Sequence, residues 1–364
     1  MTASGADLVA IARLRSEIAT LARGGEYQLA GVRLLELAAV DLKVGLRADA
    51  LLRTRQAAEI ARTEGDLGAE LRAELLLALA EVQAGTYEGA EAATDLVLVR
   101  SGGLADAERR PLVTSAYLVR GMASRRRGNV TAARIALDQC RQRSVRLGRV
   151  DLTALALTEL GMTEQVAGDP AAAAVCFAFA RDAFRLGERA DLARSVELLA
   201  LEAFIASGRF EEAIAVATDT LADAEVRRDD ELAARAAGLL ADAHAAAGAT
   251  EAALTAAGDA AARARRLTTP AGRELSVRGR LRLARLVDDP ATQQHHLEAA
   301  LDLALAGRDS TTLATILDAL VAGVTLGGLA PSAWTMVGAL AQACRDAGLL
   351  RLADMADAAL AELR

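Results

Sequence analysis

Residues that could bind a metal ion or act as a nucleophile are few and scattered along the sequence. Cys140, Cys176 and Cys344 lie far apart and form no CxxC pair, so we expect buried side chains. His295 and His296 are adjacent, and on a helix their side chains would point about 100° apart, which disfavours a shared metal ion. No phosphate-binding glycine loop, nucleophile elbow or HExxH motif occurs. The sequence therefore predicts a protein that is not an enzyme and needs no metal or cofactor.

Arginine is the remaining candidate for binding chemistry, because it is concentrated in two stretches. Residues 125–149 and residues 263–285 each contain eight Arg and one acid, whereas the whole chain has a formal net charge of −7. Guanidinium groups gathered in a groove bind carboxylates or phosphates through paired hydrogen bonds. Two interpretations stay open: a clamp for an acidic partner, and ordinary solvated arginines that complement helix C-termini.

The elements that carry these residues are predicted to be helices. Of the 364 residues, 88 are Ala and 58 are Leu, while Phe, Tyr and Trp together supply 9, which is typical of an all-α protein. No apolar stretch approaches the roughly 18 residues of a membrane span. The N-terminus lacks the features of a secretory signal, so a cytoplasmic location is expected. The negative net charge disfavours nucleic-acid binding.

A short phrase recurs along the chain: Gly, a polar residue, a turn-forming or aromatic residue, and Ala five positions after the Gly. From the third copy onward the spacing is 40 residues, and the copies begin at Gly25, Gly85, Gly128, Gly168, Gly208 and Gly248. Gly can end one helix in a left-handed conformation, and the Ala permits two helices to cross closely. Because a second turn falls about midway, each unit is predicted to be two helices of roughly 14 to 18 residues.

The spacing also predicts how the chain is organised. The step from Gly25 to Gly85 is 60 residues, so residues 1–66 are expected to form irregular N-terminal helical repeats. Residues 67–326 are expected to form the array with the 40-residue period, and residues 327–364 a pair of capping helices. The step from Gly85 to Gly128 is 43 residues, and we expect the extra residues in a flexible connector over 101–111.

The pattern resembles the tetratricopeptide family, in the 40-residue version found in bacterial regulators and scaffolds. The stretch 154–180 matches its motif best, at Leu157, Leu160, Gly161, Gly168, Asp169, Ala173, Phe177 and Ala180. The resemblance implies an αα-hairpin superhelical solenoid of about eight helix pairs, in which the first helix of each pair lines a concave groove. Aligned on the turn phrase, the candidate binding residues on that wall are Arg125, Arg126, Arg278, Arg282 and Arg285.

Two functions remain open on the sequence. The leading one is a scaffold or adaptor that binds a peptide or helix of a partner protein in the concave groove. The alternative is a regulatory sensor module for a peptide or small effector, like the arrays of bacterial transcriptional regulators. Under the clamp interpretation the partner is acidic. A homodimer through the Ala-rich stretches 171–180 and 233–247 is a further option, whereas no nucleic-acid or membrane partner is expected.

Overall fold

The structure, a computed structural model, describes residues 5–307 and 350–362 together with positions 313, 316–317, 337–338, 340–342 and 344–345. This part of the chain is helical with short turns, contains no strand, and confirms the all-α prediction. The helices are α1 Gly5–Arg23, α2 Tyr27–Val44, α3 Arg47–Thr63, α4 Leu67–Ala84, α5 Tyr87–Arg100, α6 Asp106–Arg126, α7 Val130–Arg146, α8 Val150–Val166, α9 Pro170–Leu186, α10 Ala190–Ala206, α11 Phe210–Arg227, α12 Asp230–Ala246, α13 Thr250–Ala264, α14 Pro270–Leu286, α15 Pro290–Gly307 and α16 Leu350–Glu362.

The recurring phrase forms the turns between helices, as its residue types predicted. At Gly168 the backbone is left-handed with a φ of 78°, which a residue without a Cβ adopts without strain. The next residue, Asp169, caps α9, because its side chain accepts a hydrogen bond from the Ala172 N–H at 2.9 Å. The Ala of each phrase is at most 2% exposed, at Ala30, Ala90, Ala133, Ala173, Ala213 and Ala253. These buried alanines let consecutive helices approach closely.

The two irregular steps in the phrase spacing have simple structural origins. The 60-residue step contains three helices, α2, α3 and α4, with a further left-handed turn at Gly45. In the 43-residue step, the connector between α5 and α6 is residues 101–105, of which 101–103 form a 3-10 turn. The prediction of a flexible connector over 101–111 was therefore wrong beyond residue 105. Helix α6 is 21 residues long and contains Pro111 as its sixth residue.

The chain divides at Ala200 and Leu201, within α10, into two compact units. From α1 to α9 each helix packs against the next, and α2 also contacts α4, α4 contacts α6, and α6 contacts α8. No comparable contact joins successive odd-numbered helices in the described part of this unit. Helices that touch along a stack form its shorter, concave side, so we call α2, α4, α6 and α8 the inner helices. In the second unit, α12 and α14 are in contact in the same way.

Of the predicted capping pair at 327–364, α16 is described, whereas most of the preceding helix lies outside the described residues. None of the described helices combines the length and the apolar character needed to cross a membrane.

Candidate functional site

The inner helices of the first unit enclose an open groove of about 600 Å³. Two rows of side chains line it, with one residue from each inner helix in each row. The first row is Leu35, Leu75, Ser115 and Leu155, and the second is Ala39, Leu79, Val119 and Glu159. Successive members of a row are 40 residues apart. The groove is therefore built from equivalent positions of successive repeats.

The floor of this groove is apolar and only partly covered. Leu155 on α8 is 38% exposed, although large apolar side chains at a packed helix interface are normally buried. Leu75, Leu79 and Met122 are half-buried and border the same space. Contiguous exposed apolar surface in a concave site is characteristic of a surface that binds another molecule.

Charged side chains lie along the edges of the groove. Arg72 borders it on α4, and its Nη1 is 3.9 Å from Glu108 Oε1, which is a weak contact in a half-exposed pair. Glu159 borders it on α8, and both Nε and Nη2 of Arg125 lie 2.9 Å from its Oε2. Burial raises the pKa of Glu159, while the charge of Arg125 and its hydrogen bond oppose that rise. The pair Arg125–Glu159 joins neighbouring inner helices at this edge.

The structure places Arg125 and Arg126 side by side near the C-terminus of α6. Arg125 is held by Glu159, and its side chain is only 13% exposed. Arg126 is exposed, and no described residue pairs with it. Of the two, only Arg126 presents an unpaired guanidinium to solvent.

The three arginines predicted on the second unit all lie on α14. Arg282 reaches across to α12, where its Nε and Nη2 are 2.8 Å from the Oδ1 and Oδ2 of Asp242. Gly238 makes room for this side chain, because a Cβ there would lie 2.6 Å from Arg282 Nη1. Arg278 pairs with Glu274 on its own helix at 2.5 Å. Arg285 is exposed and has no ion-pair partner among the described residues.

The histidines and cysteines form no cluster in the described part of the chain. Among these residues, no group of three or more His, Cys, Asp and Glu side chains could hold a metal ion. Nδ1 of His296 lies 3.0 Å from Arg280 Nη1. Burial lowers the pKa of His296. Cys140 and Cys344 are buried, as predicted, whereas Cys176 is only partly buried.

Reasoning from the sequence missed the leucines of the groove. Leu75 and Leu155 have the sequence pattern of ordinary core leucines of an amphipathic helix. Their 40-residue spacing was the available signal, since apolar residues at equivalent positions of a repeat share one surface. Helix pairing alone did not show that this surface stays uncovered.

No protein-family model and no curated protein matches this sequence. Solved structures do match. RapI in its apo form is 14% identical, with a TM-score of 0.65 over 92% of this chain and 97% of RapI. The apo form of the quorum sensor NprR from B. thuringiensis is 11% identical, with a TM-score of 0.54 over 89% of this chain and 99% of NprR.

A third similar structure names the type of repeat. It is a signal transduction ATPase with numerous domains from Pyrococcus horikoshii, which carries a tetratricopeptide repeat sensor. It is 14% identical, with a TM-score of 0.59, and the match covers 91% of this chain but 55% of that protein. At such low sequence identity these matches show similarity of fold alone. The chain has a tetratricopeptide-like fold of αα-hairpin repeats, as its turn phrases predicted.

Proposed function

We propose that this chain is a non-enzymatic peptide-binding protein, whose groove on the inner helices holds an apolar segment of a partner. The observation that carries the proposal is the pair of side-chain rows, which leave leucines of α2, α4 and α8 open to one space. A partner helix or extended segment can place its apolar side chains in such a groove. This is the interaction surface of a scaffold or adaptor.

The size and chemistry of the groove indicate the kind of segment it would hold. About 600 Å³ accommodates a few large side chains and not a folded domain. The walls are aliphatic, with Met122 able to adjust its shape to different side chains. Arg72 and Glu159, of opposite charge, can fix the direction of the bound segment.

A regulatory sensor is the second candidate, because two of the similar structures are named as a quorum sensor and a repeat sensor. The two functions differ in what stays bound. A sensor is stabilised against heat by a short peptide effector, since a ligand that binds only the folded state raises its Tm. A scaffold instead retains a partner protein through purification. Thermal shifts with selected peptides, compared with cross-linked capture from cell extract, separate the two.

An acidic partner is a further part of the proposal, and the ion pairs of the predicted arginines decide which of them are available to it. Arg126 and Arg285 are the predicted residues that form no ion pair among the described residues, although the charge of Arg126 does act to lower the pKa of Glu159. Arg125 and Arg282 already hold carboxylates of this chain, so an acidic ligand would have to compete with Glu159 or Asp242. Charge reversal at Arg285 should lower the affinity for an acidic peptide. If that affinity is unchanged after charge reversal of both Arg282 and Arg285, the clamp is excluded.

The groove is tested by selecting peptides from a random displayed library on the full chain and measuring affinity by calorimetry. We expect Leu155→Asp to lower the affinity for the selected peptides by about tenfold or more, because a buried leucine contact is worth roughly 1.5–3 kcal/mol. Leu186→Asp is the matched control, since Leu186 is 76% exposed at the end of α9 and does not line the groove. Equal losses in both variants, or none in either, would contradict the proposal.

A further inference from the structure

A second pocket in the first unit has a different chemistry. The C-terminal ends of α5 and α7, the turn after α5 and the N-terminal half of α6 enclose about 540 Å³. Its described lining contains no Asp or Glu. It does contain four arginines, which are Arg109, Arg110, Arg143 and Arg146. Arg143 and Arg146 belong to the Arg-rich stretch 125–149 and do not line the peptide groove. The pocket is therefore strongly basic.

The four guanidiniums differ in their partners. Arg109 and Arg110 share the carboxylate of Asp106. The Arg143 guanidinium lies over the ring of Tyr117, with Cζ 5.1 Å from the ring centroid. Its Nε is buried and donates no hydrogen bond in the structure.

Arg146, in contrast, is exposed and has no carboxylate partner within the described residues. Both Arg143 and Arg146 lie in the last turn of α7, whose free carbonyls offset part of their charge. Two positive charges in this pocket thus lack an acidic counter-ion.

Apolar side chains form the rest of the wall. Besides the ring of Tyr117, the pocket is bordered by Leu98, Val99, Val113 and Leu147. Val99 is 80% exposed and supplies open apolar surface at the edge of the pocket. A ligand that fits both parts of the wall has an anionic end and an apolar body.

We propose that this pocket binds a phosphate monoester with an apolar or aromatic body. A phosphate carries nearly two negative charges at neutral pH, which matches the two guanidiniums that lack a counter-ion. The planar fork of Arg donates paired hydrogen bonds to phosphate oxygens. The body of the ligand then covers Tyr117 and Val99. This site is separate from the peptide groove, since the two share no lining residue.

Calorimetric titration of the full chain with phenyl phosphate, inorganic phosphate and benzoate tests the proposal. Phenyl phosphate should bind most tightly, because it supplies both the dianion and the apolar body. The double variant Arg143→Gln and Arg146→Gln should lower its affinity by about tenfold or more, as expected for lost charge-assisted hydrogen bonds. Circular dichroism verifies that each variant is folded.

The control variant Arg13→Gln and Arg23→Gln removes the same charge from α1, where Arg23 also lies in a last helical turn. It should change the affinity by less than about twofold, since exposed charges at a distance are screened. The proposal is overturned if phenyl phosphate shows no saturable binding, if the control loses as much affinity, or if benzoate binds more tightly. If the double variant Arg143→Lys and Arg146→Lys keeps full affinity for phenyl phosphate, the paired hydrogen bonds from the planar guanidiniums are excluded.

Discussion

The contact between Gly161 and Phe177 predicts an unusual response to a helix-favouring substitution. Gly161 lies within α8, and Phe177 lies within α9 with 0% exposure. A Cβ at Gly161 would lie 2.5 Å from Cε1 and 2.7 Å from Cδ1 of the Phe177 ring. The ring is fully enclosed, so it has no free space into which to move. Gly161→Ala therefore forces the two helices apart or the ring out of its rotamer.

Two opposing contributions set the magnitude. Ala is favoured over Gly inside a helix by about 1 kcal/mol. Overpacking of a filled core destabilises by roughly 1–3 kcal/mol, and contacts this short lie at the upper end of that range. The net expectation for Gly161→Ala is a loss of about 1–2 kcal/mol. Gly258→Ala in α13 is the control, because nothing lies within 4 Å of a Cβ at Gly258, and it should gain about 1 kcal/mol.

Urea denaturation followed by circular dichroism measures both variants, and a second substitution isolates the contact. Phe177→Leu removes the ring atoms that clash and should by itself lose up to about 1.5 kcal/mol. In that background, Gly161→Ala should no longer destabilise and should approach the gain of Gly258→Ala. The packing argument is refuted if Gly161→Ala stabilises the chain while Phe177 is present, or if its effect is the same in both backgrounds.

Three further predictions concern charge and thiol chemistry. Hydrogen bonds donated by Arg100 are the main cause that lowers the pKa of buried Glu70, so this pair stabilises the fold above the ordinary pKa of glutamate and the contribution is lost as pH falls through the lowered value. Glu70→Gln should lower the Tm at neutral pH and flatten its decrease from about pH 6 to about pH 3. Arg282→Gln should destabilise by about 1–2 kcal/mol in urea denaturation because Asp242 loses its paired hydrogen bonds, whereas a similar loss in Arg285→Gln would contradict this explanation. Burial raises the pKa of the Cys140 thiol to about 12, so iodoacetamide at about pH 8 should label it only after unfolding, as mass spectrometry can show.

The turn chemistry of the sequence was sufficient to predict the helix pairs. Each residue of the phrase has its own local role: Gly168 ends one helix, Asp169 caps the next, and Ala173 permits the close crossing. The structure confirms each of these roles. Local roles of this kind do not depend on the rest of the fold. The connector was predicted too long, because it was extended to Pro111, whereas α6 begins at Asp106 and contains Pro111.

The candidate sites were harder to predict, because they depend on which side chains face each other across repeats. Arg125 and Arg282 were predicted as candidate binding residues, but Glu159 on α8 and Asp242 on α12 hold them. Those acids are separated from the arginines by 34 and 40 residues, so no local pattern shows the pairing. Both pockets likewise combine residues from several helices, and their lining becomes visible only when the helices are packed.

Helix α6 contributes to both pockets of the first unit. Leu118, Val119 and Met122 face the peptide groove, whereas Val113 and Tyr117 face the basic pocket. A ligand that rotates or shifts this helix from one side therefore reshapes the wall on the other. Thermodynamic linkage makes any such effect mutual: a phosphate ester that alters peptide affinity by some factor has its own affinity altered by the peptide by that same factor. The longest described helix would then act as the shared element of a two-ligand response.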